Sequence, residues 1–178
     1  GELALELGSE TIVKTAQRLG VAGSLTLDGA ATASGKIETA EAGSSDEAWL
    51  GIGQYTDLVT PYSMLRLCAA IANGGTAVTN GLKDAFVENC EANGIEITYT
   101  GECMSYDVAY GYGRDRFPGL DLCAKSGTAE VGDGTTHAWF VGYLRTGAPV
   151  AFAVMLEHGG GGLLPTAGRG GAAAAGGV

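Results

Sequence analysis

The chain has 178 residues, 46% of them apolar, and a mean hydropathy of +0.15. That is enough chain for one domain with a real core, and too apolar for a disordered segment. A formal net charge of -10 and a pI near 4.5 exclude nucleic acid as a partner, because phosphate binding needs clustered Lys and Arg. No signal peptide is evident and no apolar run is long enough to cross a bilayer. The two His, the dispersed Asp and Glu, and four Cys at scattered spacings form no metal pattern, and no cofactor is expected.

Residues 1–20 read as helix. Leu3 and Leu7 stand four apart, and Ile12, Val13, Ala16 and Leu19 form a second apolar stripe. Ser9 can cap the second segment and Gly20 can end it. Residues 22–48 are poor in large apolar groups and carry Asp28, Glu38, Glu41, Asp46 and Glu47, which predicts a long loop, either functional or a solvated connector. Gly51-Ile52-Gly53-Gln54 then leads to Thr60-Pro61. Thr60 suits an N-cap and Pro61 the first helical position. Met64, Leu65, Cys68, Ile71 and Ala72 recur at helical spacing before Asn73-Gly74-Gly75, so a helix is predicted from Pro61 to about Asn73.

Residues 76–121 predict an irregular segment with short strands. Thr76-Ala77-Val78 and Ala85-Phe86-Val87 are candidates, and Ile95 to Thr100 alternates like a strand with one wet face, after a turn at Asn93-Gly94. Cys90 and Cys103 flank this piece and could close a small disulfide loop; four Cys allow three full pairings, and sequence does not choose among them. Cys68 and Cys123 read as buried free thiols. Met104 to Tyr110 reads as a short helix, Arg114, Asp115 and Arg116 as a solvated turn, and Gly111-Tyr112-Gly113 and Phe117-Pro118-Gly119 as turns.

A three-strand sheet core is predicted over residues 122–157. Leu120 to Ala124 is a short apolar run, followed by Lys125-Ser126-Gly127-Thr128-Ala129-Glu130 and a turn at Gly132-Asp133-Gly134. Ala138 to Leu144 and Val150 to Leu156 make the best hairpin, joined by Arg145-Thr146-Gly147-Ala148. The second arm is apolar throughout, so both its faces should be covered. Residues 163–178, after the glycines at 159–162, predict either a C-terminal helix or a low-complexity tail. The Lys125 segment can bind an anion: Lys125 supplies charge, Ser126 and Thr128 supply donors, and Gly127 has no side chain to hold a ligand away. His137 reads as a strand-entry residue in preference to a base, and Trp139 and Phe140 as core.

Lys125-Ser126-Gly127-Thr128 resembles the Lys-[Ser/Thr]-Gly box of penicillin-binding proteins and serine β-lactamases. The longer string through Glu130, with His137-Ala138-Trp139-Phe140-Val141-Gly142-Tyr143 beyond it, is similar to the transpeptidase domain of high-molecular-mass penicillin-binding proteins. Gly53-Gln54 and Thr60-Pro61 resemble a second segment of that family, with Tyr55 and Tyr62-Ser63 as departures from its pattern. The resemblance implies an α+β fold, a β-lactamase/transpeptidase-like antiparallel sheet flanked by helices. It also implies that Lys125 and Thr128 have catalytic roles. Lys125 would raise the cleft's positive potential and help proton traffic, and the Thr128 N–H would form half of an oxyanion hole. Lys125, Ser126, Gly127 and Thr128 would bind the substrate, the two hydroxyls through its carboxylate.

No Ser in the chain has Lys three residues on or Asn two residues on, so the family's Ser-x-x-Lys and Ser-x-Asn boxes are not here. The expectation is therefore the C-terminal portion of such a domain, incomplete, inactive alone, and partnered by the missing N-terminal part. The implied activity is a peptidoglycan D,D-transpeptidase acting outside the bacterial membrane in an anchored parent. Its partners would be a stem peptide and β-lactam antibiotics. A β-lactamase or β-lactam sensor of the same fold, and a non-catalytic binding module, are the alternatives.

Overall fold

A computed structural model describes residues 1–75 and 97–160. The first helical stretch divides into α1 (Glu2–Leu7) and α2 (Ser9–Arg18) at Gly8, whose φ of 79° disfavours any side chain. Ser9 does not cap α2 with its hydroxyl, as the sequence suggests; it is the helix's first residue, and its Oγ donates to the Ala40 carbonyl. The cap comes instead from Glu47, whose carboxylate accepts the Ser9 N–H at 2.7 Å and the Gly43 N–H at 2.8 Å. Those donors, Gly43 foremost, hold the Glu47 pKa below the usual carboxylate value, although the side chain is only 2% exposed. Gly20 ends α2 as expected, at φ 70°, with the Gly20 and Val21 N–H groups returning to Gln17 and Ala16 carbonyls.

The following loop contains a minimal hairpin, β1 (Thr26–Leu27) with β2 (Ala30–Ala31), and Lys36 bridges to Leu58. Its last residues are helical, contrary to the loop reading: α3 (Ser45–Leu50) starts at Ser44, whose Oγ accepts the Glu47 N–H. Helix α4 (Pro61–Ala72) has the predicted start, with Pro61 at its first turn. Thr60 and Ser63 exchange side-chain to backbone bonds in a reciprocal capping box.

Residues 97–100 correct the expectation of a strand, whereas Met104 to Tyr110 is helical and Arg114–Arg116 an exposed turn, as expected. The backbone forms α5 (Ile97–Tyr106), a π-helical segment Asp107–Gly113 and a 3₁₀ turn Arg114–Arg116. The cause is a stripe one step beyond the alternating residues: Gly101, Met104, Ser105 and Val108 are all buried, at helical spacing. Gly111-Tyr112-Gly113 is consequently the end of a helical segment instead of a free turn. The candidate strands at 76–78 and 85–87, the Asn93-Gly94 turn, Cys90 and the 163–178 segment lie outside the described residues. Cys103 is exposed and unbonded, whereas Cys68 and Cys123 are buried thiols.

The sheet has the order β3 (Leu122–Glu130), β4 (Thr136–Leu144), β5 (Ala151–Leu156), with every pair antiparallel. The Lys125 segment therefore lies inside a nine-residue strand and not in a connection between two. One face carries Cys123, Val141 and Tyr143, which pack with Cys68 of α4 and Met104 of α5. The other carries Leu122, Ala124 and Phe140, which pack with Val108 and Phe117. Helices thus flank an antiparallel sheet, the α+β architecture expected. The covering expected on both faces of β5 is not complete: Val154 and Leu156 are half-exposed among the described residues. No helix of the described residues is long and apolar enough to cross a membrane.

Candidate active site

A cleft of about 990 Å³ opens between β3 and the loop that leads into α4. Met64, Trp139, Val141 and Met155 form an apolar floor, and Lys125 to Gly132 form one wall. Trp139, expected in the core, thus also faces the cleft. Volume and composition suit a small-molecule or peptide site: mostly apolar lining with a few polar groups on one wall.

The wall is an edge of β3 that has no strand beside it among the described residues. β4 occupies the other edge, and the register pairs Lys125 with Val141 and Thr128 with Ala138. The Ser126 N–H points away from β4, because it is bonded to the Tyr112 hydroxyl at 2.7 Å. The Thr128 carbonyl also points away, because it accepts from Gln54 Nε2 at 3.1 Å. In an antiparallel strand a residue's N–H and C=O share a side, so the Thr128 N–H faces outward too. An outward backbone donor beside an exposed Lys is a place where negative charge can be held.

Side chains alternate across the strand. Lys125 and Gly127 lie on the same face as Val141 and Trp139; Ser126 and Thr128 lie on the other. Lys125 is exposed, and its Nζ donates to the Ser126 carbonyl at 2.8 Å. Thr128 is exposed. Ser126 Oγ accepts from the Tyr112 hydroxyl at 3.0 Å and keeps its own proton to donate. Nothing inside the fold demands glycine at 127: its φ is not positive, and an added Cβ would sit 3.5 Å from the Trp139 Cβ, an ordinary contact. Its bareness serves the open side.

His137 lines the far end of the cleft, opposite Ala129. Four residues of strand separate that point from Lys125, about 13 Å. His137 Nδ1 accepts the His158 N–H at 3.2 Å, and the two rings meet edge to face. The ring is a fastening between strand ends, in keeping with the strand-entry reading. Asp57 is a cleft-lining residue that the sequence did not single out. Its Oδ1 is buried without a hydrogen-bond partner, and burial pushes its pKa up to about 6. Gln54 and Tyr112, which hold the β3 edge, were legible only as parts of a glycine-rich string and a turn. Among the described residues, no group of His, Cys, Asp and Glu could hold a metal ion.

The profile of the penicillin binding protein transpeptidase domain matches residues 1–176. The chain belongs to that family. Solved structures of the same fold include penicillin-binding protein A from Mycobacterium tuberculosis, 21% identical with a TM-score of 0.66, which covers 89% of this chain. Penicillin-binding protein 2 of Pseudomonas aeruginosa is 24% identical, with a TM-score of 0.62 and 89% of this chain covered. The FtsI4 transpeptidase domain from Legionella pneumophila is 21% identical, with a TM-score of 0.53 and 86% covered. The chain spans 40%, 41% and 52% of those three chains respectively. No match emerges among curated protein sequences. In this member of the family, the Lys-Ser-Gly-Thr box occupies an edge of the sheet that has no strand beside it among the described residues, with the Gly53-Gln54 segment closing the cleft from the other side.

Proposed function

We propose that this chain supplies the Lys-Ser-Gly-Thr side of the active site of a peptidoglycan D,D-transpeptidase. The enzyme cross-links stem peptides by serine acyl transfer and is acylated by β-lactams. The observation that carries the reading is the outward Thr128 N–H on a free strand edge, next to Lys125 and above an open apolar cleft.

The chemistry follows from those groups and a serine contributed from outside this chain. The serine oxygen adds to the carbonyl of a stem peptide or a β-lactam. Negative charge develops on the carbonyl oxygen, and the Thr128 N–H stabilises it together with the backbone N–H of the nucleophile. The carbon–nitrogen bond then breaks, and the departing nitrogen takes the proton. Lys125 draws in the ligand's carboxylate and lowers the cost of moving that proton. Ser126 and Thr128 each keep a hydroxyl proton for that carboxylate, and Gly127 lets the acyl group lie flat against the strand. Support for β-lactam acylation comes from a solved neighbour: the Mycobacterium tuberculosis protein has been captured as an imipenem acyl-enzyme complex. Stem peptides lie outside the bacterial cell membrane, so the domain works there.

Without a Ser-x-x-Lys box, this chain on its own does not turn over. The test is the intact mass of this chain and of a complete protein carrying a Ser-x-x-Lys segment, each incubated with a penicillin. One adduct on the complete protein and none on this chain is expected. An adduct on this chain alone would move the nucleophile to one of its own serines. No adduct on either would leave a non-catalytic module.

A further inference from the structure

The free edge of β3 is clamped at two points by side chains from different parts of the chain. Tyr112, in the π-helical Asp107–Gly113 segment, places its hydroxyl 2.7 Å from the Ser126 N and 3.0 Å from the Ser126 Oγ. Its ring packs edge-on against Phe140 at 5.8 Å, within the cluster of Val108, Leu122 and Ala124. Gln54 takes the Thr128 carbonyl. The Ser126 N–H is a strand-edge donor with no strand beside it among the described residues, and the phenol oxygen satisfies it. The next donor on that edge is the Thr128 N–H, two residues or about 7 Å further along.

We propose that Tyr112 is a positioning residue: by seizing Ser126 it fixes the pose of the β3 edge, so that the Thr128 N–H points at the reacting carbonyl oxygen. The Ser126 hydroxyl accepts from Tyr112 and keeps its own proton to donate to the ligand's carboxylate, beside Lys125 and Thr128. The role acts through backbone geometry, so it affects the charge that develops during acylation more than the initial binding of the ligand. The inference rests on the transpeptidase reading above.

The experiment is stopped-flow acylation of the complete protein by a chromogenic cephalosporin, separating the dissociation constant from the acylation rate constant. Tyr112→Phe removes one oxygen and keeps the ring. The expected result is an acylation rate constant lower by about tenfold, a fraction of what losing an oxyanion donor outright costs, with the dissociation constant within about twofold. An unchanged rate constant overturns the inference, as does a loss confined to the dissociation constant. If Tyr112→Phe loses its thermal transition, difluorotyrosine at position 112 keeps the fold and weakens the oxygen as an acceptor. The rate constant should then fall, and indifference to fluorination overturns the inference. A parent protein that is never acylated defeats the transpeptidase reading and this inference together. An acylated parent indifferent to Tyr112 defeats this inference alone.

Discussion

Gln54 reaches across the cleft to the carbonyl of Thr128, 74 residues away in sequence, at 3.1 Å. The bond ties the loop before α4 to the strand edge that carries the Lys-Ser-Gly-Thr box. It is exposed, so it belongs at the low end of the range for a net hydrogen bond. Gln54→Ala should cost about 0.5–1 kcal/mol in urea unfolding. A loss well above that range would mean that Gln54 carries packing the structure does not show.

Gly127 and Gly142 should part company when each is replaced by Ala. An added Cβ at Gly142 runs into the Cys123 carbonyl and Ala124, both held by the strand pairing. Gly142→Ala should therefore destabilise by about 1–3 kcal/mol. Gly127→Ala has room inside the fold and should leave the melting temperature nearly unchanged, while slowing acylation of the complete protein by crowding the open side. Equal thermal losses at the two positions would show that Gly127 is bare for the fold's sake.

Glu47 makes the link between α2 and α3 sensitive to acid. Its folded-state pKa lies below the ordinary carboxylate value of 4.5, so its contribution is present above that value and is lost as pH falls through the folded pKa. Melting temperatures of the native protein and of Glu47→Gln should converge as pH falls progressively below 4.5. A gap that stays constant across that range would place the effect in the shape of the side chain and not in its charge.

Asp57 has the opposite sign. Its pKa is raised to about 6 by burial, so its favourable contribution is complete below the unfolded value of 3.8 and is lost as pH rises through 6. Asp57→Asn should stabilise the protein at pH 8 by about 1 kcal/mol, after discounting for solvent screening at a half-open site, and leave it unchanged at pH 3.5. Destabilisation by Asn at pH 8 would indicate that the charge has a partner.

The thiols should separate by accessibility. Cys103 is exposed, and Cys68, 2% exposed, has its pKa pushed up to about 11 by burial. Iodoacetamide at neutral pH should alkylate Cys103 in the native protein and reach Cys68 and Cys123 only on unfolding, as read by peptide mass mapping. Labelling of Cys68 at the rate of Cys103 would contradict the packing of α4 on the sheet.

What could be read from the sequence was local. The Thr60-Pro61 start of α4 needs only neighbours three residues away, and the β3–β4–β5 hairpins announce themselves by apolar runs and short turns. The α+β sheet flanked by helices, implied by the resemblance to penicillin-binding proteins, was borne out. The α5 region misled because Ile95 to Thr100 alternates, whereas the stripe that decides its conformation begins at Gly101 and includes a glycine and a serine, which do not register as hydrophobic. Glu47 looked like one more loop acid because Ser9, 38 residues away, becomes its neighbour only after folding. Tyr112 and Gln54 were invisible as supports of the β3 edge for the same reason: no spacing rule predicts which side chain will satisfy a strand's free N–H or C=O.

Strands β3, β4 and β5 pair in the order in which they are synthesised, each with its neighbour along the chain. Such a meander closes only short loops, and short loops are the least expensive in entropy and the fastest to form. The strand that bears Lys125 and Thr128 therefore assembles early, before the distant clamp from Gln54 arrives. The tie between the loop before α4 and that strand is a late event on a scaffold already built.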